Sequence, residues 1–258
     1  NAEVEIKKVN LLLWSPDHPK LYDISVRIET DIVNEIIGFR NISTQGPEIL
    51  LNGQPVFLKG ISIHEENVIR GSRAYSEDDA RMLLGWVKEL GGNFARLAHY
   101  PHNEYMSRVA DETGIMLWEE IPVYWTIDWE NEETFINARS QLNDIISRDK
   151  NRASVIFWSV GNETPVMDAR VKFMTSLIAE ARKLDGTRLI SAALEQHGLE
   201  ENRNIRVITD PLADYVDVLS FNEYIGWYDG LPDNCNDITW RIEQDKPVII
   251  SEFGAGAL

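Results

Sequence analysis

The chain has 258 residues, with 25 Lys and Arg against 42 Asp and Glu, a formal net charge of −17. So acidic a surface disfavours nucleic acid and anionic membranes as partners. The single cysteine, Cys235, excludes an intrachain disulfide and a cysteine-based metal site, and no window approaches the roughly 18 apolar residues of a membrane-spanning helix.

The first five residues, Asn1-Ala2-Glu3-Val4-Glu5, lack the basic and apolar regions of a signal peptide. The expectation is that the chain starts inside a longer protein, so cytoplasm, periplasm and secretion all stay open. Val4 and Ile6, then Leu21, Ile24, Val26 and Ile28, fall in short alternating runs broken by the turn cluster Ser15-Pro16-Asp17-His18-Pro19. Asn52-Gly53 is a hairpin signal between Ile49-Leu50-Leu51 and Val56-Phe57-Leu58. These strands are too few to close a sandwich, so residues 1–45 read as the tail of a β domain.

From 46 onward, short apolar runs alternate with helical stretches, which implies a parallel sheet. Strands are expected at 57–63, 94–98, 115–120, 154–160, 188–194, 216–221 and 247–251. Helices are expected near 76–90, 103–113, 132–148, 167–184 and 237–244. The first helix opens on Ser76-Glu77-Asp78-Asp79, an N-cap followed by acids. No glycine-rich phosphate loop follows the first strand, which argues against a doubly wound sheet. The pattern fits a (β/α)8 barrel cut off after its seventh strand. Its first and seventh strands would then be open edges, inclined to close by self-association.

In such a barrel, active-site residues sit at the carboxyl ends of strands. The run 154–160 delivers Gly161-Asn162-Glu163, and the run 247–251 delivers Glu252-Phe253-Gly254. Strands four and seven face each other across the mouth. Either glutamate alone could merely end a strand in solvent; two of them supply the acid and the carboxylate that glycoside hydrolysis needs.

Asp149-Lys150-Asn151-Arg152-Ala153-Ser154 continuing to Glu163 resembles the acid/base signature of glycoside hydrolase family 2. Asn93-Phe94-Ala95-Arg96-Leu97-Ala98-His99-Tyr100-Pro101, continuing to Asp111 and Gly114, resembles that family's second signature, with Leu97 where a small residue is usual. The likeness runs from Leu13-Trp14-Ser15-Pro16 to Ser251-Glu252-Phe253-Gly254. It implies that residues 1–45 end an immunoglobulin-like β-sandwich and that 46–258 form the catalytic TIM barrel. It implies a retaining exo-β-glycosidase with Glu252 as nucleophile and Glu163 as acid/base.

The resemblance also assigns Asn162 to the sugar 2-hydroxyl, Arg96 to the nucleophile, His99 to the sugar and Tyr224 to the nucleophile by its hydroxyl. His64 and Glu120 end strands and are further substrate-binding candidates. Trp227, with Trp125, lies on a loop where it could stack on a sugar. The metal-dependent β-galactosidases of the family carry a Glu and a His just beyond strand three. Here that stretch is Glu120-Ile121-Pro122-Val123-Tyr124-Trp125-Thr126, so neither metal nor other cofactor is expected. The substrate expected is a β-glucuronide, with β-galactosidase as the alternative; a barrel fragment without turnover, binding carbohydrate only, is the reading from another class.

Overall fold

The computed structural model describes residues 10–256; the expected strand positions Val4 and Ile6 lie outside them. Seven parallel strands form a single curved sheet: β1 (Gly60–Ile63), β2 (Phe94–Leu97), β3 (Met116–Glu120), β4 (Val155–Asn162), β5 (Leu189–Leu194), β6 (Leu219–Asn222) and β7 (Val248–Glu252). Helices α1 (Glu77–Glu89), α2 (Glu104–Thr113), α3 (Glu132–Asp149) and α4 (Asp168–Leu184) pack outside it. Neighbours in the sheet follow chain order, leaving β1 and β7 as its outer strands. These two curl toward each other until the Ser62 hydroxyl donates to the Ser251 carbonyl at 3.3 Å.

Local chemistry sets the element ends. Ser76 caps α1 and Asp79 reciprocates on the Ser76 backbone, a full capping box. Gly114 ends α2 in the left-handed region at φ 72°, where a side chain would also lie 2.3 Å from the Pro16 carbonyl. Asn52 and Gly53, at φ 54° and 77°, make the expected hairpin turn, and Leu51 pairs with Gln54. Strand β1 starts at Gly60 rather than at 57. Just before it, the Asn93 side chain accepts from Lys59 N and donates to Phe57 O, taking the place of ladder partners.

The expected helix at 237–244 is absent. Thr239–Arg241 is a short strand, paired in parallel with Ile205–Val207. Ile238, Trp240 and Ile242 alternate with polar residues at a period of two, and Trp240 stacks on Phe221 at 4.3 Å between ring centroids. That contact requires the extended form.

A hairpin of Tyr22–Ile28 and Asp31–Ile37 precedes the barrel. It is tied to the barrel through Glu35, which meets Arg108 of α2 at 3.0 Å and Arg152 at 2.7 Å. The Arg40 guanidinium donates to the carbonyls of Ala153, Val155 and Thr187. Beneath the barrel, Ile42, Ile49 and Leu51 pack with Trp14, Phe94, Met116, Trp118 and Phe157 into an apolar floor. A second core joins the outward faces of the strands to the helices.

At this seam Trp14 donates its indole N–H to the Asp111 carbonyl at 2.7 Å, and the Asp111 carboxyl accepts from Ser154 N at 2.7 Å. Burial pushes that carboxyl up to about 6 from an ordinary 3.8, against the hydrogen bonds from Ser154 and the charge of Arg152. The folded value lies above the unfolded one, so the group costs nothing below about pH 4 and opposes folding increasingly as pH rises to 6. Asp111→Asn should therefore gain on wild type by about 2–3 kcal/mol between pH 4 and pH 7. Urea unfolding of both proteins at the two pH values measures this; a gap that does not change with pH would refute it.

Candidate active site

The alternation of each strand builds the barrel interior in layers. Above the apolar floor come small polar side chains: Ser191 and Ser220 bond each other at 2.7 Å, and Ser251 donates to Asn222 Oδ1 at 2.8 Å. Above the serines, at the carboxyl ends of the strands, lie Arg96 (β2), Glu120 (β3), Asn162 (β4), Asn222 (β6) and Glu252 (β7). A cavity of about 1490 Å³ reaches this layer, with His64, His99, Tyr224 and Glu252 in its wall.

Arg96 is the hub, with only 1% of its surface exposed. Its guanidinium donates to both Glu120 oxygens at 3.1 Å, to Asn162 Oδ1 at 2.7 Å and to Glu252 Oε1 at 2.6 Å. One face lies over the Trp118 ring. Burial pushes Glu120 upward, but the Arg96 charge and the donors on His99 and Trp118 outweigh it and hold the carboxyl below its usual range. His99 Nδ1 donates to Glu120 at 2.8 Å, which brings Nε2 to 3.6 Å from Glu252 Oε1.

The two candidate catalytic carboxyls have unlike surroundings. Glu252 receives the Arg96 cation on Oε1 and the Tyr224 hydroxyl on Oε2. Burial first, then the bond to Glu252 and its charge, push the Tyr224 hydroxyl above the usual phenol range, so it stays a donor. Among the described residues Glu163 receives neutral donors, Asn222 Nδ2 at 2.8 Å and the Trp125 indole at 3.2 Å. Its backbone is in the left-handed region at φ 48°, held by Glu163 N donating to Ala193 O at 2.9 Å.

Arg96, Glu120, His99, Asn162, Glu163, Tyr224 and Glu252 thus share one hydrogen-bonded constellation. His64 stands beside it, edge-on to His99 at 5.6 Å between centroids. Trp227 sits at the rim, 45% exposed; its backbone N–H donates to Tyr224 O at 3.0 Å, and its ring meets Tyr228, which packs on Tyr224. Trp158 is core, with its indole on Asp185.

Comparison with known proteins gives the family. Residues 42–258 match the family described as glycosyl hydrolases family 2, TIM barrel domain, and residues 1–40 match glycosyl hydrolases family 2. The chain belongs to glycoside hydrolase family 2. It is 30% identical to a β-glucuronidase of Paenibacillus borealis over 96% of this chain and 44% of that protein. With the rat β-glucuronidase the figures are 29%, 99% and 41%. Among solved structures, a β-D-glucuronidase of Dictyoglomus thermophilum superposes with a TM-score of 0.77 at 30% identity, covering 96% of this chain and 46% of that one. A β-galacturonidase from Eisenbergiella tayi, bound to galacturonate, gives 0.81 at 26%, covering 96% and 44%. The chain spans less than half the length of each of these relatives.

Two members of this constellation, Asn222 and Trp118, were not singled out from the sequence, and a third, Trp125, was singled out only as a residue that could stack on a sugar. Asn222 links Asn162 to Glu163, and the end of strand six was its available signal. Trp118 donates to Glu120 Oε2 at 2.8 Å; its signal was the two-residue spacing that puts both on the inner face. The bond from Trp125 to Glu163 depends on a loop conformation that no spacing reveals.

The hub makes a coupled prediction. Arg96→Met would leave Glu120 buried without the guanidinium, on the His99 and Trp118 donors, and should cost about 3–5 kcal/mol. Adding Glu120→Gln should recover a large part of that loss. Urea unfolding of the two single variants and the double variant tests it, and strictly additive losses would count against the hub.

Proposed function

We propose that the protein carrying this chain is a retaining exo-β-glycosidase acting on terminal β-uronides, β-glucuronides first. The observation that carries this reading is the unlike environment of the two carboxyls. Glu252 is aimed by a guanidinium and a phenol, one on each oxygen. Glu163 is met by neutral donors, an amide and an indole. In the first step Glu252 attacks the anomeric carbon, the glycosidic C–O bond breaks, and Glu163 gives its proton to the departing oxygen. In the second, water attacks the glycosyl-Glu252 ester, Glu163 takes the water's proton, and the sugar leaves with its configuration retained. Asn162, between Arg96 and Asn222, is placed to meet the hydroxyl beside the anomeric carbon. The names of the relatives, β-glucuronidase and β-galacturonidase, support a uronic acid as the sugar. We also infer that the Tyr22–Ile37 hairpin ends an immunoglobulin-like sandwich.

A 2-fluoro glycoside inactivator should leave its sugar on a peptide containing Ser251-Glu252-Phe253; a label on Glu163 would reverse the two roles. Glu163→Gln should lose about 10²–10⁴-fold on substrates with poor leaving groups. On an activated aryl glycoside, which departs without a proton, its glycosylation step should be largely spared. Equal losses on both substrates would remove Glu163 from the acid's role.

A further inference from the structure

Trp125 follows β3 on a loop, and 63% of its surface is exposed. An exposed tryptophan is usually free to move; this one is fixed at both ends. Its backbone N–H donates to Asn162 O at 3.1 Å, while Asn162 N donates to Val123 O at 2.9 Å. The 123–125 segment is thereby laced to the end of β4, next to Glu163, with a bridge between Tyr124 and Asn162. Trp125 itself adopts φ 54°, a conformation that a bulky residue takes only when its surroundings enforce it. Its indole N–H donates to Glu163 Oε2 at 3.2 Å, and the Tyr124 ring stands edge-on at 5.5 Å and 86°.

With the N–H spent on Glu163, the exposed remainder of the side chain is its flat ring. That ring borders the carboxyl which, on the reading proposed above, protonates the departing oxygen. A group attached to that oxygen must therefore pass beside the indole. We propose that Trp125 is a positioning residue for Glu163 and also the platform on which a leaving group with a planar apolar face stacks. Its two functions separate chemically. Stacking needs a ring, and positioning needs the N–H.

The test compares Trp125→Ala and Trp125→Phe on a 4-nitrophenyl glycoside and on the methyl glycoside of the same sugar. Trp125→Ala should raise KM for the aryl substrate about tenfold, the scale of one aromatic stacking contact, and leave KM for the methyl glycoside within about twofold. Trp125→Phe should restore the aryl KM. It should still lower kcat on the methyl glycoside roughly tenfold, because that poor leaving group depends on a well-aimed acid. Equal KM changes on the two substrates in Trp125→Ala, or wild-type kcat on the methyl glycoside in Trp125→Phe, would overturn the assignment. This inference rests on the glycosidase reading, and binding of free 4-nitrophenol, followed by saturation-transfer NMR, separates the two. Loss of that binding in Trp125→Ala, with no turnover even by the wild type, would sustain the platform and defeat the glycosidase reading. Binding unchanged by Trp125→Ala would defeat the platform even in an active enzyme.

Discussion

A guanidinium held almost wholly out of water at the mouth of a barrel is the constraint on which the rest of the site depends. Taking Arg96 from solvent costs several kcal/mol unless its N–H groups find well-placed acceptors. Arg96 stands on β2, and its acceptors come from three other strands: Glu120 from β3, Asn162 from β4 and Glu252 from β7. No local segment could assemble them. The register that sets Trp118 beside Arg96 and the curl that brings Ser62 to Ser251 are both needed before the charge is satisfied. The geometry of this site is thus a consequence of barrel curvature, and the Arg96 hub in turn favours that curvature over an open sheet.

The serine layer belongs to the same logic. An apolar floor meeting a charged layer directly would place Glu120 and Arg96 against hydrocarbon. Ser191, Ser220 and Ser251 instead satisfy one another and Asn222, so polarity rises in steps from Phe157 up to Arg96. The small side chains also leave room for the larger ones above, where Asn222 reaches two partners at once.

Much of this could be read from the amino-acid order, for identifiable reasons. Parallel strands buried on both faces appear as apolar runs, and a glutamate stands at the carboxyl end of two of them, Glu163 just after β4 and Glu252 closing β7, which places both carboxyls at one mouth. Capping chemistry marked Ser76, and Asn52-Gly53 marked a hairpin. The expected helix at 237–244 failed because its few apolar residues, Ile238, Trp240 and Ile242, fit a period of two better than one of 3.6, and Phe221 supplied the surface that Trp240 needed. In the site, residues that act from a strand end were legible one at a time. The bonds of Asn222 and Trp125 to Glu163 were not, since they depend on cross-strand register and on left-handed backbone at two non-glycine positions.

The charge balance of the mouth bears on which sugar it accepts. Arg96 is already committed to Glu120 and Glu252, so its charge is not available to a substrate carboxylate. Two carboxyl groups, Glu120 and Glu252, share one guanidinium, with the Glu163 carboxyl close by on an amide and an indole, so the mouth is rich in carboxyl groups at short range, in surroundings where screening is weak. On the uronide reading proposed above, the groups that meet the sugar's carboxylate are therefore donors other than Arg96.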